Sequence, residues 1–198
     1  MTKSLFTAVQ LHFVRPEQKF DSLEALKADF PDLHPIAMET TYYDTPGGDL
    51  AKLFWTLRHR REGDKHICTL KTPGGIDGRS EYEWSCEDIH EAIPHMCRLS
   101  GSNALAQLVE RGLVETCGAR FTRTARAFAA GCTTTELALD QGVLLNGEKE
   151  EPFAELEVEL KRGFREEADI IGLLLSQAYG LEVENKSKFQ RSKELGAK

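Results

Sequence analysis

The stretch AELEVEL, residues 154–160, decides how this chain folds. Glu155, Glu157 and Glu159 alternate there with Leu156, Val158 and Leu160. Side chains on a strand alternate faces, so a period of two puts three carboxylates on one face and three aliphatic side chains on the other. Successive same-face positions lie about 7 Å apart. Two carboxylates at that spacing repel by roughly 2.4 kcal/mol at an effective dielectric of about 20, and by roughly 0.6 kcal/mol in bulk water. A solvated face bears this pattern without penalty. An enclosed face bears it only with a cation or a basic partner opposite.

The same alternation recurs outward from this strand in both directions. In LFWTLRHRREG (53–63), Thr56, Arg58 and Arg60 share one face and Trp55, Leu57 and His59 the other. A Gly63-Asp64 turn leads into KHICTLKT (65–72), where Lys71 neighbours Leu70, and the pair reads as a hairpin. In RSEYEWSC (79–86), Glu81 and Glu83 alternate with Tyr82 and Trp84. ARFTRTARAFAA (119–130) sets Arg126 among alanines, and TTTELALDQGVLL (133–145) sets Asp140 beside Leu139. LFTAVQLHFV (5–14) and AMETTYYD (37–44) read as further strands, the latter broken by a Thr-Pro-Gly-Gly turn. Helical spacing falls at 16–30, at 87–117 in two pieces stopped by Gly118, and at 165–179 before Gly180; residues 184–195 form a basic tail. Strands outnumber helices and short turns join most of them. This predicts one α+β domain over residues 1–198, built on an antiparallel sheet that closes into a barrel.

Bulk properties narrow the function. The 198 residues are 40% hydrophobic and 29% charged, as in ordinary globular chains, and the net charge of −7 argues against nucleic-acid or anionic-membrane partners. Five scattered cysteines without a CxxC pair fit reduced thiols, and no leader or long apolar run is evident, so the expectation is a cytoplasmic protein. The histidines outside the first strand show no metal-ligand spacing and read as structural. There is no GxxxxGK[ST] loop.

Each strand is single-signed on its polar face. With these faces turned inward, a cationic wall stands opposite an anionic one. Arginine suits bidentate contact with phosphate, and carboxylate oxygens suit Mg2+ or Mn2+. Such a lumen fits a polyphosphate.

The stretches TTYYDTPGGDLAKLFWTLRHRREGDKHICTLKTPG, RSEYEW, ELALDQG, EPFAELEVELKRG and KSKFQRS follow one another between about residues 40 and 193. In that order they resemble the CYTH, or triphosphate tunnel metalloenzyme, superfamily, most of all its bacterial inorganic triphosphatases. The resemblance implies an eight-stranded antiparallel β-tunnel with helices outside, hydrolysing a small-molecule triphosphate or polyphosphate with Mg2+ or Mn2+. It further implies substrate-binding roles for Arg58, Arg60, Lys71, Arg126 and Lys188, with Arg123 and Lys186 as near-register candidates. Asp140, Glu155, Glu157 and Glu159 would hold metal, and Glu81 and His12 would serve catalysis. A dimer face on the 165–179 helix is left open.

One motif departs from the family. Where it has Glu-x-Glu-x-Lys, this chain has AVQLH, with Ala8, Gln10 and His12 at the signature positions. Two metal-holding carboxylates are therefore absent, and a permanent cation is replaced by a group of reference pKa about 6.5. Three readings follow: a divergent metal-dependent triphosphatase, a non-catalytic polyphosphate or nucleotide-triphosphate binding module, and an adenylyl cyclase of the same fold.

Overall fold

The computed structural model describes residues 10–14, 34–74 and 79–197. Ala8 and the helix expected at 16–30 lie outside the described residues. Among the described residues nine strands form one antiparallel sheet: β1 (Gln10–Val14), β2 (His34–Asp44), β3 (Thr56–Glu62), β4 (Lys65–Pro73), β5 (Arg79–Trp84), β6 (Val114–Ala130), β7 (Thr133–Asn146), β8 (Lys149–Arg162) and β9 (Glu182–Glu184). Their lateral order is β5-β4-β3-β2-β6-β7-β8-β1-β9. Among the described residues no ladder joins β5 to β9, so the sheet ends at two edges. The antiparallel sheet expected from the sequence is present, as a nine-strand order among the described residues, whose pairings do not show closure into an eight-stranded barrel.

Among the described residues the helices are α1 (Asp49–Lys52), α2 (Ile89–Ser100), α3 (Ala104–Val109), α4 (Arg165–Tyr179) and α5 (Lys188–Ala197). Two apolar clusters cover the outer face of the sheet. Leu57, Cys68 and Leu70 pack under Ile89, Ile93 and Met96 of α2. Leu137, Leu139, Leu156 and Val158 pack under Ile171 of α4. The aliphatic half of AELEVEL is thus the outward half. A third cluster lies on the inner face, where Leu195 of α5 meets Met38, Ala119, Phe121, Leu144 and Phe153.

Two readings of the chain change. Residues 110–117 do not continue a helix: α3 stops at Val109, and β6 starts at Val114 and passes straight through Gly118. The basic tail, given no secondary structure from the sequence, carries helix α5. It buries Lys188, Ser192 and Leu195, at i, i+4 and i+7.

The motif TTYYDTPGGDL owes its form to packing. The buried Asp44 carboxylate accepts backbone N–H bonds from Thr45, Leu50 and Ala51, tying the end of β2 to α1. Gly142 marks the tightest approach between β6 and β7: a Cβ there would lie 2.1 Å from the Arg120 carbonyl oxygen and 2.4 Å from Phe121 Cα. Gly142→Ala is expected to cost about 1–3 kcal/mol by overpacking. Urea unfolding midpoints check this, and an unchanged midpoint would show that the strands can separate at no cost.

Candidate functional site

Strand register builds the site. Arg58 and Arg60 pair with Tyr42 and Thr40 of β2, and Thr56 pairs with Lys71 of β4. Lys71 in turn faces Glu81, Arg123 faces Asp140, and Asp140 faces Glu155. Directly opposed residues share a face. All of these charged positions therefore lie on the inner face, from β5 across to β8. In β1, Gln10 pairs with Glu159 and His12 with Glu157, so two signature positions stand in register beside the acidic strand.

The acidic part is a buried ionic cluster. Asp140 and Glu155 are fully buried, and Glu157 is 4% exposed. One ligand atom from each lies within 4.8 Å of the others, a hard-oxygen set that could hold a metal ion. The chain also supplies cations to it. Arg123 makes a bidentate pair with Asp140 at 2.8 and 2.7 Å and reaches Glu157 at 2.6 Å. Lys188 of α5 contacts Asp140 at 2.6 Å and Glu157 at 2.7 Å, and also pairs with Glu155. Arg191, one turn along α5, pairs with Glu155. Three carboxylates thus meet three cations. Burial alone would depress Lys188 and Arg123, but the surrounding carboxylates outweigh it and hold both cations above their ordinary values. The donor chemistry fits a divalent metal, which would share its carboxylates with Lys188.

The basic part is less well neutralised. Arg58, Arg60 and Lys71 share Glu81, Glu62 and Glu83: Lys71–Glu81 is 3.1 Å, Arg58–Glu81 3.6 Å, Arg60–Glu62 2.6 Å and Arg60–Glu83 4.0 Å. Burial, then repulsion from Arg58, lowers Arg60 to about 10 and pulls Lys71 below its usual value. Burial acts against Glu81, yet Lys71 and Arg58 hold its carboxyl below the ordinary glutamate range. The buried Nε atoms of Arg58 and Arg60 have no hydrogen-bond partner among the described residues. Strongly hydrogen-bonding groups left bare in a cationic wall are suited to anion oxygens.

The expected residues do not all converge. Arg126 pairs with Leu137, which packs under α4, so it sits on the outer face. It lies three positions after Arg123, and an odd offset on a strand reverses the face. Lys186 is exposed and pairs with Glu194 at 2.8 Å, outside the cluster. Glu159 borders the site, half-buried and bound to Lys161 at 3.0 Å. Sequence reasoning passed over Arg191, whose i+3 offset from Lys188 was its only signal, and Tyr42, buried between Arg58 and Lys188. His59 and His66 contact each other at 3.0 Å, with His59 paired to Cys68 on the outer face, away from this site.

A curled antiparallel sheet carrying these motifs defines a class. The CYTH domain family model matches residues 11–192, and the chain belongs to that family. An inorganic triphosphatase of Haemophilus influenzae is 35% identical over 132 residues, 65% of this chain and 37% of that protein. The matched region thus spans little more than a third of that relative's length. Among solved structures, a Bacillus halodurans protein named for adenylate cyclase matches with a TM-score of 0.70 at 16% identity, over 93% of this chain and 96% of that one. A Hippeastrum protein named for adenylyl cyclase, with a dominant triphosphatase activity, matches with a TM-score of 0.66 at 21% identity, over 95% of this chain and 96% of that one. At these identities the two structures establish the fold alone.

Proposed function

We propose that this domain binds a triphosphate, inorganic tripolyphosphate by preference, in the trough of the sheet and hydrolyses it with Mg2+ or Mn2+. The observation that carries this reading is the register that sets the under-neutralised Arg58, Arg60 and Lys71 on the same inner face as the Asp140, Glu155 and Glu157 cluster. In this reading Arg58, Arg60 and Lys71 hold the phosphate oxygens and stabilise charge gathering on the transferred phosphoryl group. Asp140, Glu155 and Glu157 would hold the metal. When bound, that metal supplies Lewis-acid neutralisation and a more acidic water. Glu81 keeps Lys71 and Arg58 oriented, and His12, in register with Glu157, lies on the strand where the family carries its signature. The likeness to an inorganic triphosphatase supports the reaction class.

A second reading is binding without turnover. It is favoured by the saturation of all three carboxylates by Arg123, Lys188 and Arg191, together with the missing signature glutamates. Phosphate release from tripolyphosphate across a Mg2+ and Mn2+ titration, with and without EDTA, separates the two. Metal-dependent release is expected and EDTA abolishes it. Tight tripolyphosphate binding in EDTA with no release at any metal concentration would replace the enzyme reading with the binding one. Glu157→Gln serves this assay better than Glu157→Ala, because it keeps the volume beside Arg123 and Lys188.

A further inference from the structure

Cys68 and Cys86 meet on the outer side of the sheet, away from the charged trough. Cys68 lies on β4 and is fully buried in the cluster under α2; Cys86 lies two residues past the end of β5 and is half-buried. Their sulfurs are 3.7 Å apart, and the Cys86 Sγ also contacts the Asp88 carbonyl at 3.2 Å. A disulfide needs the sulfurs to close to about 2.05 Å, so this pair starts from contact. Cys97 of α2 shares the buried cluster, while Cys117 faces Thr116 and the Phe189 carbonyl and Cys132 is exposed.

We propose that Cys68 and Cys86 form a reversible oxidation site that closes to an intramolecular disulfide under a peroxide. The half-buried Cys86 meets the oxidant first, because Cys68 is sealed in and burial pushes its thiol up. The Cys86 sulfur, as thiolate, attacks one peroxide oxygen. An S–O bond forms, the O–O bond breaks, and the leaving oxygen departs as water with the thiol's proton. The Cys68 sulfur then attacks the Cys86 sulfur, the S–S bond forms, and the S–O bond breaks. The second water carries off the Cys68 proton. The two cysteines lose two electrons and the peroxide gains them.

The position gives the bond a consequence. β5 is an edge strand, hydrogen-bonded only to β4 among the described residues, and it carries Glu81 and Glu83. Thr69, next to Cys68, donates to Glu83 at 3.1 Å. A Cys68–Cys86 bond therefore staples the end of this edge to the strand bearing Lys71, and it closes a loop that costs the unfolded chain entropy.

The test treats the folded protein, in a Cys132→Ser background that prevents intermolecular coupling, with a small excess of hydrogen peroxide. Peptide mapping is expected to show a Cys68–Cys86 cross-link that dithiothreitol reverses. The oxidised form is expected to melt about 5 °C or more higher, a gain absent from the further variant Cys86→Ser. Peroxide-treated protein with no such peptide, or a cross-link that leaves the melting temperature unchanged, would overturn the proposal.

Discussion

Lys188→Met is expected to destabilise the folded chain by about 3–5 kcal/mol, the usual cost of removing one partner from a buried ion pair. For a chain of this length that lowers the melting temperature by roughly 6–20 °C. Methionine fills the space but takes one of three cations from Asp140, Glu155 and Glu157, leaving Arg123 and Arg191. The buried carboxylates then share fewer cations, out of reach of solvent. Lys188 is held above its ordinary 10.5, so its contribution is fully present below that pH and is lost only as pH rises further. The difference between wild type and variant should therefore hold across neutral and mildly alkaline conditions. Urea unfolding measures it, and adding Glu157→Gln to Lys188→Met should recover part of the loss by removing a stranded charge. Lys186→Met is the control: its ammonium is exposed and pairs only with Glu194 at the surface, so the melt should not change. Equal behaviour of the two variants would mean that Lys188 does not neutralise the buried cluster.

Alternation alone made the sheet and most of the site legible. Glu155, Glu157 and Asp140 fall together because period two sorts faces, and the pairing of β7 with β8 lines the sorted faces up. The same rule should have excluded Arg126, which lies an odd number of residues from Arg123. What escaped was information that strand spacing does not carry. Helix α5 was hidden because its inward face is Lys188, Arg191, Ser192 and Leu195, a stripe that looks polar until three carboxylates stand opposite it. Residues 110–117 looked helical because Gly118 resembles a stop. In the fold that glycine lies within β6, where a Cβ would come 2.6 Å from the Thr40 carbonyl oxygen. Whether the sheet closes was likewise beyond a local pattern, since it depends on pairing between its two edges.

Arg60→Ala should weaken tripolyphosphate binding, measured in EDTA, by roughly 10- to 100-fold without lowering the melting temperature. A charge-assisted hydrogen bond contributes about 1.5–3 kcal/mol, and each 1.4 kcal/mol is about tenfold in affinity. In most buried sites the loss of an arginine also costs stability. Here Arg60 is crowded by Arg58, brought down to about 10 by burial and that repulsion, and left with its Nε bare among the described residues. Its removal relieves like-charge repulsion while giving up the Glu62 and longer Glu83 contacts, so stability is retained and affinity is not. Salt should shrink the difference between the two proteins, because the contact is ionic. Arg126→Ala makes the experiment specific to the trough, since that guanidinium sits on the outer face opposite Leu137 and should bind tripolyphosphate as wild type does. If Arg126→Ala lost as much affinity as Arg60→Ala, the anion would not be held on the inner face. If neither lost any, the bare Nε atoms would not be phosphate ligands, and the cationic wall would serve only the glutamates already beside it.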